Sequence, residues 1–452
     1  MMRPIFLALC LNAATAGAAL ASEDVSALVR DKGLAGAAEV LRASEDPGDR
    51  FALAGVQFLG AVEQAWQARW RYGLTLSNPM MPGMQTELFA NPAPEPLPAD
   101  IVVTLGRALI DGMAASEATL AALPDDAEPS FAVNIADLWF DVNASGARDE
   151  GEGFGDLALQ ALLSPWQVEQ VKQDMAANPG TPNPLTATIR FDTADADWLR
   201  AYTHLVRGMS EVVLAFDPTE EIGRAQELHA ALAAQAGASP AGIPEELRAQ
   251  IEADIRRARP DATDAEVKAE ADETAAALSA DGAMRGMKDQ AGPWVDLAAI
   301  IINTLAHQPD AAGITRARDH LVAVAQYNRR FWEKVAVETD NEAEWIPNDR
   351  QTAALGFTLP EGTGVTWLAV LSEGEKVLAG DLLIPYWRFA PGHGVNLGTW
   401  IAKPAPVRVV DWIQGTAALP YAGAGEVMTI DSWRRFAMLL EGRAGLFAIL
   451  LN

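Results

Sequence analysis

Apolar residues recur at helical spacing along most of this chain, and that pattern constrains its fold more than any other feature. The clearest run lies in residues 193–216, where large apolar side chains follow one another at steps of four and three residues. These are Trp198, Tyr202, Leu205, Met209, Val212 and Phe216. Because this spacing puts them on one side of an α-helix, we predict a helix with that face buried. His204 and Arg207 lie off the stripe, which favours a solvated pair.

Similar patterns along the chain predict a mainly α fold. We expect a multi-helix bundle in residues 22–345, and a smaller unit in residues 346–452 that mixes helices with extended segments around Pro385. Six prolines make residues 78–98 an extended connector. Residues 221–283 are rich in Ala and Glu and poor in large apolar residues. That composition predicts an exposed helical excursion or a partly disordered insertion.

The N-terminus is typical of a signal peptide over residues 1–21. Arg3 is followed by an uncharged apolar stretch and by a small-x-small pattern that ends at Ala21. A membrane anchor is one alternative, and a lipoprotein modified at Cys10 is another. We favour cleavage after Ala21, because the apolar stretch is short for an anchor and the residue before Cys10 is not small. The expected location is the periplasm of a bacterial cell envelope, or the medium outside the cell.

The charge and the single cysteine limit what the mature chain can bind. Cleavage would remove that cysteine, so stability must come from core burial and from any bound ion. A net charge of −27 repels phosphate backbones and anionic membranes, and we predict no nucleic-acid partner. The same charge attracts cations, although an acidic balance also serves solubility alone. No later stretch has the roughly 20 apolar residues that a membrane span needs.

Residues 141–152 form the one motif in the chain that points to a specific chemistry. Calcium is a hard cation that takes six to eight oxygen ligands, and a twelve-residue loop can supply them from positions 1, 3, 5, 7, 9 and 12. Those positions hold Asp141, Asn143, Ser145, Ala147, Asp149 and Glu152, with Ala147 offering its backbone carbonyl. Gly146 stands at the sixth position, where a sharp turn requires a positive φ.

These twelve residues resemble the loop of the EF-hand family, and the resemblance implies one bound calcium ion. Two features depart from the family pattern: Arg148 occupies a position that is normally apolar, and Gly153 begins a Gly-Phe-Gly segment where an exit helix should run. The loop is therefore similar to solitary calcium loops of extracellular proteins, with a structural ion. The alternative is an acidic turn that binds nothing. The rest of the chain resembles exported bacterial proteins whose activity is unknown.

Two weaker candidates lie nearer the C-terminus. Five acidic residues cluster before Trp345, and they could hold a second ion, supply an acid/base pair or simply cover a solvated helix end. They are Glu333, Glu338, Asp340, Glu342 and Glu344. His393 stands in a Gly-rich loop without a partner at a recognisable spacing. The chain has no H-E-x-x-H, G-x-S-x-G, P-loop or dinucleotide-binding pattern.

The sequence thus favours an exported, acidic, helical protein that binds one structural calcium ion and has a binding or structural role rather than a catalytic one. Calcium is the only partner that the residues indicate. The alternative is a periplasmic hydrolase of unfamiliar type, with its site near His393 or among the acidic residues 333–344.

Export can be tested directly on the natural protein. We expect the mature chain to begin at Ser22, because the small-x-small pattern ends at Ala21. N-terminal sequencing of protein from the envelope fraction measures this. A cytoplasmic species that retains Met1 would contradict the prediction.

Overall fold

The structure is a computed structural model that describes residues 24–74, 90–124, 126–157, 165–177, 184–236, 245–278 and 280–440. The predicted signal peptide and most of the Pro-rich connector lie outside these residues. The described part of the connector, 90–98, forms neither helix nor strand.

Helices dominate the chain, so the predicted fold class is confirmed. The N-terminal half holds α1 (Val25–Leu41), α2 (Pro47–Arg71), α3 (Ile101–Ala121), α4 (Pro165–Ala177), α5 (Thr193–Phe216) and α6 (Thr219–Ala236). The C-terminal half holds α7 (Glu245–Ala258), α8 (Asp264–Leu278), α9 (Ala280–Leu305), α10 (Ala311–Val335), α11 (Thr363–Ala379), α12 (Leu397–Ala402), α13 (Val409–Gln414) and α14 (Asp431–Leu439). Within the described ranges, short 3₁₀ helices cover Ile135–Asp137, Pro184–Thr186 and Leu419–Tyr421.

The strands of the described residues are short and form two small antiparallel sheets. One sheet pairs β1 (Phe131–Asn134) with β2 (Thr188–Phe191), and Phe131 lies opposite Phe191. The other joins β3 (Ile384–Pro385), β4 (His393–Val395) and β5 (Ala422–Ala424), with β4 in the centre. Pro385 therefore lies on an edge strand, where the missing backbone N–H removes no essential ladder bond.

The central element of the bundle is the antiparallel pair of α5 and α10. The helices approach closely at Gly208, where an added Cβ would lie 3.3 Å from the Cβ of His320. Helix α3 packs against both α2 and α5, and α1 covers α2. At its N-terminus, α5 is fixed by a capping box in which Asp192 and Asp195 each accept a backbone N–H.

The helix predicted over residues 193–216 is confirmed, but its predicted apolar face is partly wrong. Met209, a member of that face, is 57% exposed. His204, predicted to be solvated, lies between α5 and α10 with its side chain only 14% exposed. A helix packed on two sides buries more of its circumference than one apolar stripe, and spacing alone does not show which polar residues are covered.

The smaller C-terminal unit shares a core with the helical part. Phe331 and Trp332 of α10 pack with Trp367 of α11 and Phe436 of α14. This cluster crosses the boundary that the sequence suggested at residue 345. Among the described residues, no helix combines the length and apolarity needed to cross a bilayer.

The described part of residues 221–283 is helical apart from a turn at residues 259–263. Helices α7 and α8 pack on each other through a separate small cluster of Ile251, Ile255, Val267 and Ala271. A core of that size supports little stability, so this pair should open before the rest of the fold.

We expect limited trypsin digestion to cut first within α7, at Arg256 or Arg257, whose side chains are 49% and 77% exposed. Mass mapping of the early fragments checks this. The arginines of α5 serve as the internal control, because Arg200 and Arg207 are held in the centre of the bundle. A first cut at either of them would show that the core has been misplaced.

Candidate functional site

The predicted calcium loop leaves the body of the protein through a narrow neck. Trp139 and Gly153 form an antiparallel bridge across the neck. Phe140 donates its N–H to the Glu152 carbonyl at 3.0 Å, and Phe154 donates to the Leu138 carbonyl at 2.9 Å. Residues 141–152 therefore begin and end at the same point.

The tip of the loop is a tight turn organised by the Asp141 carboxylate. Its Oδ1 accepts the N–H of Ser145 at 2.8 Å, and its Oδ2 accepts the N–H of Gly146 at 2.9 Å. Gly146 has φ of 79°, in the left-handed region where glycine avoids the strain of a Cβ. Ala144 also has a positive φ, 57°, and bears that strain within the loop.

The remaining oxygen-bearing groups of the loop are linked to one another. Asn143 Oδ1 accepts the Ser145 N–H at 2.9 Å, while Asn143 Nδ2 donates to Asp149 Oδ2 at 2.7 Å. Ser145 Oγ donates to the Ala147 carbonyl at 3.0 Å. The positions that the sequence selected as ligands thus face one another across the loop.

Glu152 closes this arrangement from the inside. Its side chain is fully buried, its Oε1 accepts the Val142 N–H at 2.8 Å, and its Oε2 accepts the Asp149 N–H at 2.8 Å. Burial raises the pKa of this carboxyl above its usual range. Because both oxygens hold loop amides, Glu152 supports the loop even before any cation binds. A Gln at this position would therefore weaken the calcium-free loop as well.

Helix α2 supplies two supporting residues that the sequence analysis missed. Glu63 Oε2 accepts the Asp141 N–H at 2.8 Å, and Gln67 Nε2 donates to the Asp141 carbonyl at 2.9 Å. Burial raises the pKa of Glu63 to about 7. On the sequence these residues belong to an amphipathic helix far from the loop, and no local pattern connects them with Asp141.

The donor set of the loop suits calcium better than a softer metal. It offers carboxylate, amide, hydroxyl and carbonyl oxygens and no sulfur or imidazole, which is the chemistry that calcium prefers. Arg148, the residue that departs from the family pattern, turns away and donates to the Ala136 carbonyl at the neck, at 3.1 Å. The loop is entered from the 3₁₀ helix Ile135–Asp137 and the bridge, so the entering half of a helix–loop–helix is absent from the described residues. On the exit side residues 154–157 are helical, so the expectation that no exit helix follows Glu152 is wrong.

A second acidic group combines residues from two parts of the chain. Asp192, at the N-cap of α5, lies with Glu338 and Glu344 so that one carboxylate oxygen of each falls within 4.8 Å of the others. Burial and the neighbouring Asp192 raise the pKa of Glu338 to about 7, and burial also raises the pKa of Glu344. Such a group can share a proton or attract a cation.

Only two of the five acidic residues predicted near Trp345 belong to this group. The side chains of Glu333, Asp340 and Glu342 are exposed. Asp340 instead pairs with Arg190, at 3.4 Å. Asp192 was not predicted to belong to this group, because its position directly before α5 is already accounted for by a role as helix N-cap.

His393 lies on β4 with an exposed side chain, and its Nδ1 is 3.3 Å from the Pro391 carbonyl oxygen. In the part of the chain that the structure describes, it makes no ion pair with a carboxylate.

A polar network between α3, α5 and α10 was also missed. His204 Nδ1 lies 2.8 Å from His320 Nδ1. Arg200 forms an ion pair with Glu117 in which both Nε and Nη2 donate to the carboxylate. Burial, together with the nearby Arg207 and His204, lowers the pKa of His320 to about 4. The His320 ring is therefore neutral at physiological pH.

No protein-family model, curated protein or solved structure matches this chain. The function therefore has to be inferred from the geometry of the chain itself.

The raised pKa of Glu338 predicts a specific dependence of stability on pH. The pKa of Glu338 in the folded protein, about 7, exceeds the ordinary value of 4.5. The contribution of this carboxyl to the free energy of unfolding is therefore fully present below pH 4.5 and is lost as the pH rises through 7. Glu338→Gln mimics the protonated carboxyl. We expect this variant to gain about 1–3 kcal/mol over wild type between pH 5 and pH 8, because each tenfold change in proton affinity on folding corresponds to about 1.4 kcal/mol.

Chemical denaturation at a series of pH values, without divalent cations, measures this difference. Glu342→Gln makes the same change at an exposed position four residues away and should follow the wild-type curve. Parallel curves for wild type and Glu338→Gln would show that Glu338 is not strained by burial.

Proposed function

We propose that this chain is an exported, calcium-stabilised protein with a binding or structural role in the periplasm or outside the cell. The loop at residues 141–152 is its calcium site, with Asp141, Asn143, Ser145, Asp149 and Glu152 as side-chain ligands and Ala147 as a carbonyl ligand. The observation that carries this proposal is the set of hydrogen bonds that links all six positions with one another across the loop.

Charge supports the same proposal. Asp141, Asp149 and Glu152 belong to a chain of net charge −27, and the buried Glu63 adds a fourth carboxyl beside the loop. Burial raises the pKa of Glu152 and of Glu63, and the nearby Asp141 carboxylate adds to both rises. A divalent cation would relieve that repulsion, and protons compete with it for the same oxygens.

The function would then be that of a stabilised scaffold. A solitary loop without a helix on its entering side has no pair of helices to open, so the ion would hold the loop to α2 rather than trigger a movement. The mature chain would have no disulfide, and an ion is one of the few remaining ways to fix an exposed loop.

A hydrolase is the second candidate, and the grouping of Asp192, Glu338 and Glu344 is the observation that favours it. A carboxyl with a pKa of about 7, such as Glu338, can act as a general acid or base near neutral pH. Hydrolytic turnover that is lost in Glu338→Gln would support this candidate over the first.

Calcium should raise the melting temperature of the protein. Exported modules of this kind bind with dissociation constants of about 10⁻⁴ to 10⁻³ M. At tenfold excess over that constant, mass action stabilises the fold by about 1.4 kcal/mol. Glu152→Gln should abolish the rise, because it removes a charge and the only ligand that can bind through two buried oxygens. Mg²⁺ should substitute poorly, since it requires a smaller octahedral site.

Calorimetric titration beside thermal melts measures both effects. The matched control is Glu150→Gln, which removes the same charge from an exposed, non-ligand position of the loop and should keep the calcium response. The calcium-free melt of Glu152→Gln separates lost support of the loop from lost binding. Neither heat nor a melting shift for wild type at millimolar calcium would mean that the loop is only a turn.

A further inference from the structure

Two histidines meet within the contact between α5 and α10. His204 lies on α5 and His320 on α10, and their Nδ1 atoms are 2.8 Å apart. At this distance one Nδ1 carries a hydrogen and donates it, while the other must offer its lone pair. Two protonated rings would each carry a hydrogen on Nδ1, and neither could accept. The contact therefore requires at least one neutral ring.

The two helices pack tightly around this pair. Gly208, one turn after His204, lies so near α10 that an added Cβ would be 3.3 Å from the Cβ of His320. The His204 ring also stacks on Tyr327, with the ring centroids 5.4 Å apart. Only 14% of the His204 side chain is exposed. Relief of the repulsion between two charged rings would therefore require α10 to move away from α5.

The surroundings of His204 suit one positive charge. Its Nε2 lies 3.9 Å from Oε1 of Glu117 on α3. The same carboxylate pairs with Arg200 at 2.7 Å, and the Tyr327 hydroxyl donates to it at 3.4 Å. A proton on Nε2 of His204 would face this carboxylate, and the ring could still donate from Nδ1 to a neutral His320. The pair can therefore hold one added proton without losing its hydrogen bond.

The surroundings of His320 oppose a second charge. Arg207 of α5 lies nearby, and within the described part of the chain it makes no ion pair. Two carboxylates also lie near His320, and each is already paired with an arginine of α10, at 2.8 and 2.6 Å. They are Glu211, paired with Arg316, and Asp319, paired with Arg318. Burial, together with Arg207 and His204, accordingly lowers the pKa of His320 to about 4.

We propose that the His204–His320 pair is an acid-sensitive latch between α5 and α10. The pair keeps the two helices together while it holds no more than one added proton, and a second proton, on His320, separates them. Because α5 and α10 form the central contact of the bundle, acid would loosen the fold from its centre. The latch goes beyond the calcium site proposed above and does not depend on it.

The latch predicts how stability changes with pH. The ordinary pKa of histidine is 6.5, whereas that of His320 in the folded protein is about 4. The contribution of this ring to the free energy of unfolding is therefore fully present above pH 6.5 and is lost as the pH falls through 4. Between pH 7 and pH 4 the unfolding equilibrium constant should rise about 10-fold to 100-fold more in wild type than in His320→Asn, the lower figure allowing for screening by solvent.

Urea denaturation at a series of pH values, with a calcium chelator present, measures the two equilibrium constants. The Asn amide can hydrogen-bond to His204 but takes up no proton. The carboxyl groups are common to both proteins, so the comparison isolates the contribution of the histidine. His393→Asn makes the same change at an exposed position of β4 and should follow the wild type. A ratio of the wild-type and His320→Asn constants that stays the same at every pH would overturn the proposal.

A second measurement uses wild type alone. NMR of the mature chain with ¹⁵N-labelled histidine follows all five imidazole rings through the titration. At least one ring should stay neutral down to about pH 4, and its protonation should coincide with a loss of hydrogen-exchange protection in α5 and α10. Protonation of all five rings near pH 6.5, in a protein that keeps this protection, would overturn the latch whether or not His320→Asn folds.

Discussion

The fold depends on the antiparallel contact of α5 with α10, and charged side chains form much of that contact. Asp197 pairs with Lys334 at 2.7 Å near one end, Glu211 with Arg316 at 2.8 Å near the other, and the two histidines meet between them. Buried ion pairs often add little net stability, because desolvation offsets the attraction. Their geometry nevertheless fixes the register of the two helices. Displacing α10 along α5 would leave Asp197 and Glu211 buried without partners.

The register matters because the N-terminal end of α5 belongs to several structures at once. Asp192 is the N-cap and also one of the three grouped carboxylates. Asp195 and Trp198, one and two turns further on, line an apolar cavity of about 320 Å³ between α1, α2, α5 and the β1–β2 sheet. The neighbouring strand β2 joins β1 on one side and the segment at Glu344 on the other. A shift of α5 would thus disturb the bundle, the acidic group and the cavity together.

Local patterns predicted the helices well, and they predicted the side chains that surround them less well. The loop ligands could be selected from the sequence because they lie within twelve residues, whose spacing alone brings them together. Glu63 could not, because it reaches Asp141 only after α2 has packed beneath the loop. For the same reason His204 was misplaced: whether a polar residue on a helix is solvated depends on its neighbouring helix, here through His320, and not on its own spacing.

The calcium loop and the apolar cavity share a physical boundary. Leu138 and Phe154 line the cavity. At the neck of the loop the Phe154 N–H donates to the Leu138 carbonyl at 2.9 Å. The next hydrogen bond toward the loop runs from the Phe140 N–H to the Glu152 carbonyl. Glu152, whose carboxylate would hold the ion, is therefore two residues from Phe154 in the cavity wall. Order in the loop is therefore connected through one backbone hydrogen bond to Phe154 and to the packing of α1, α2 and the β1–β2 sheet around it.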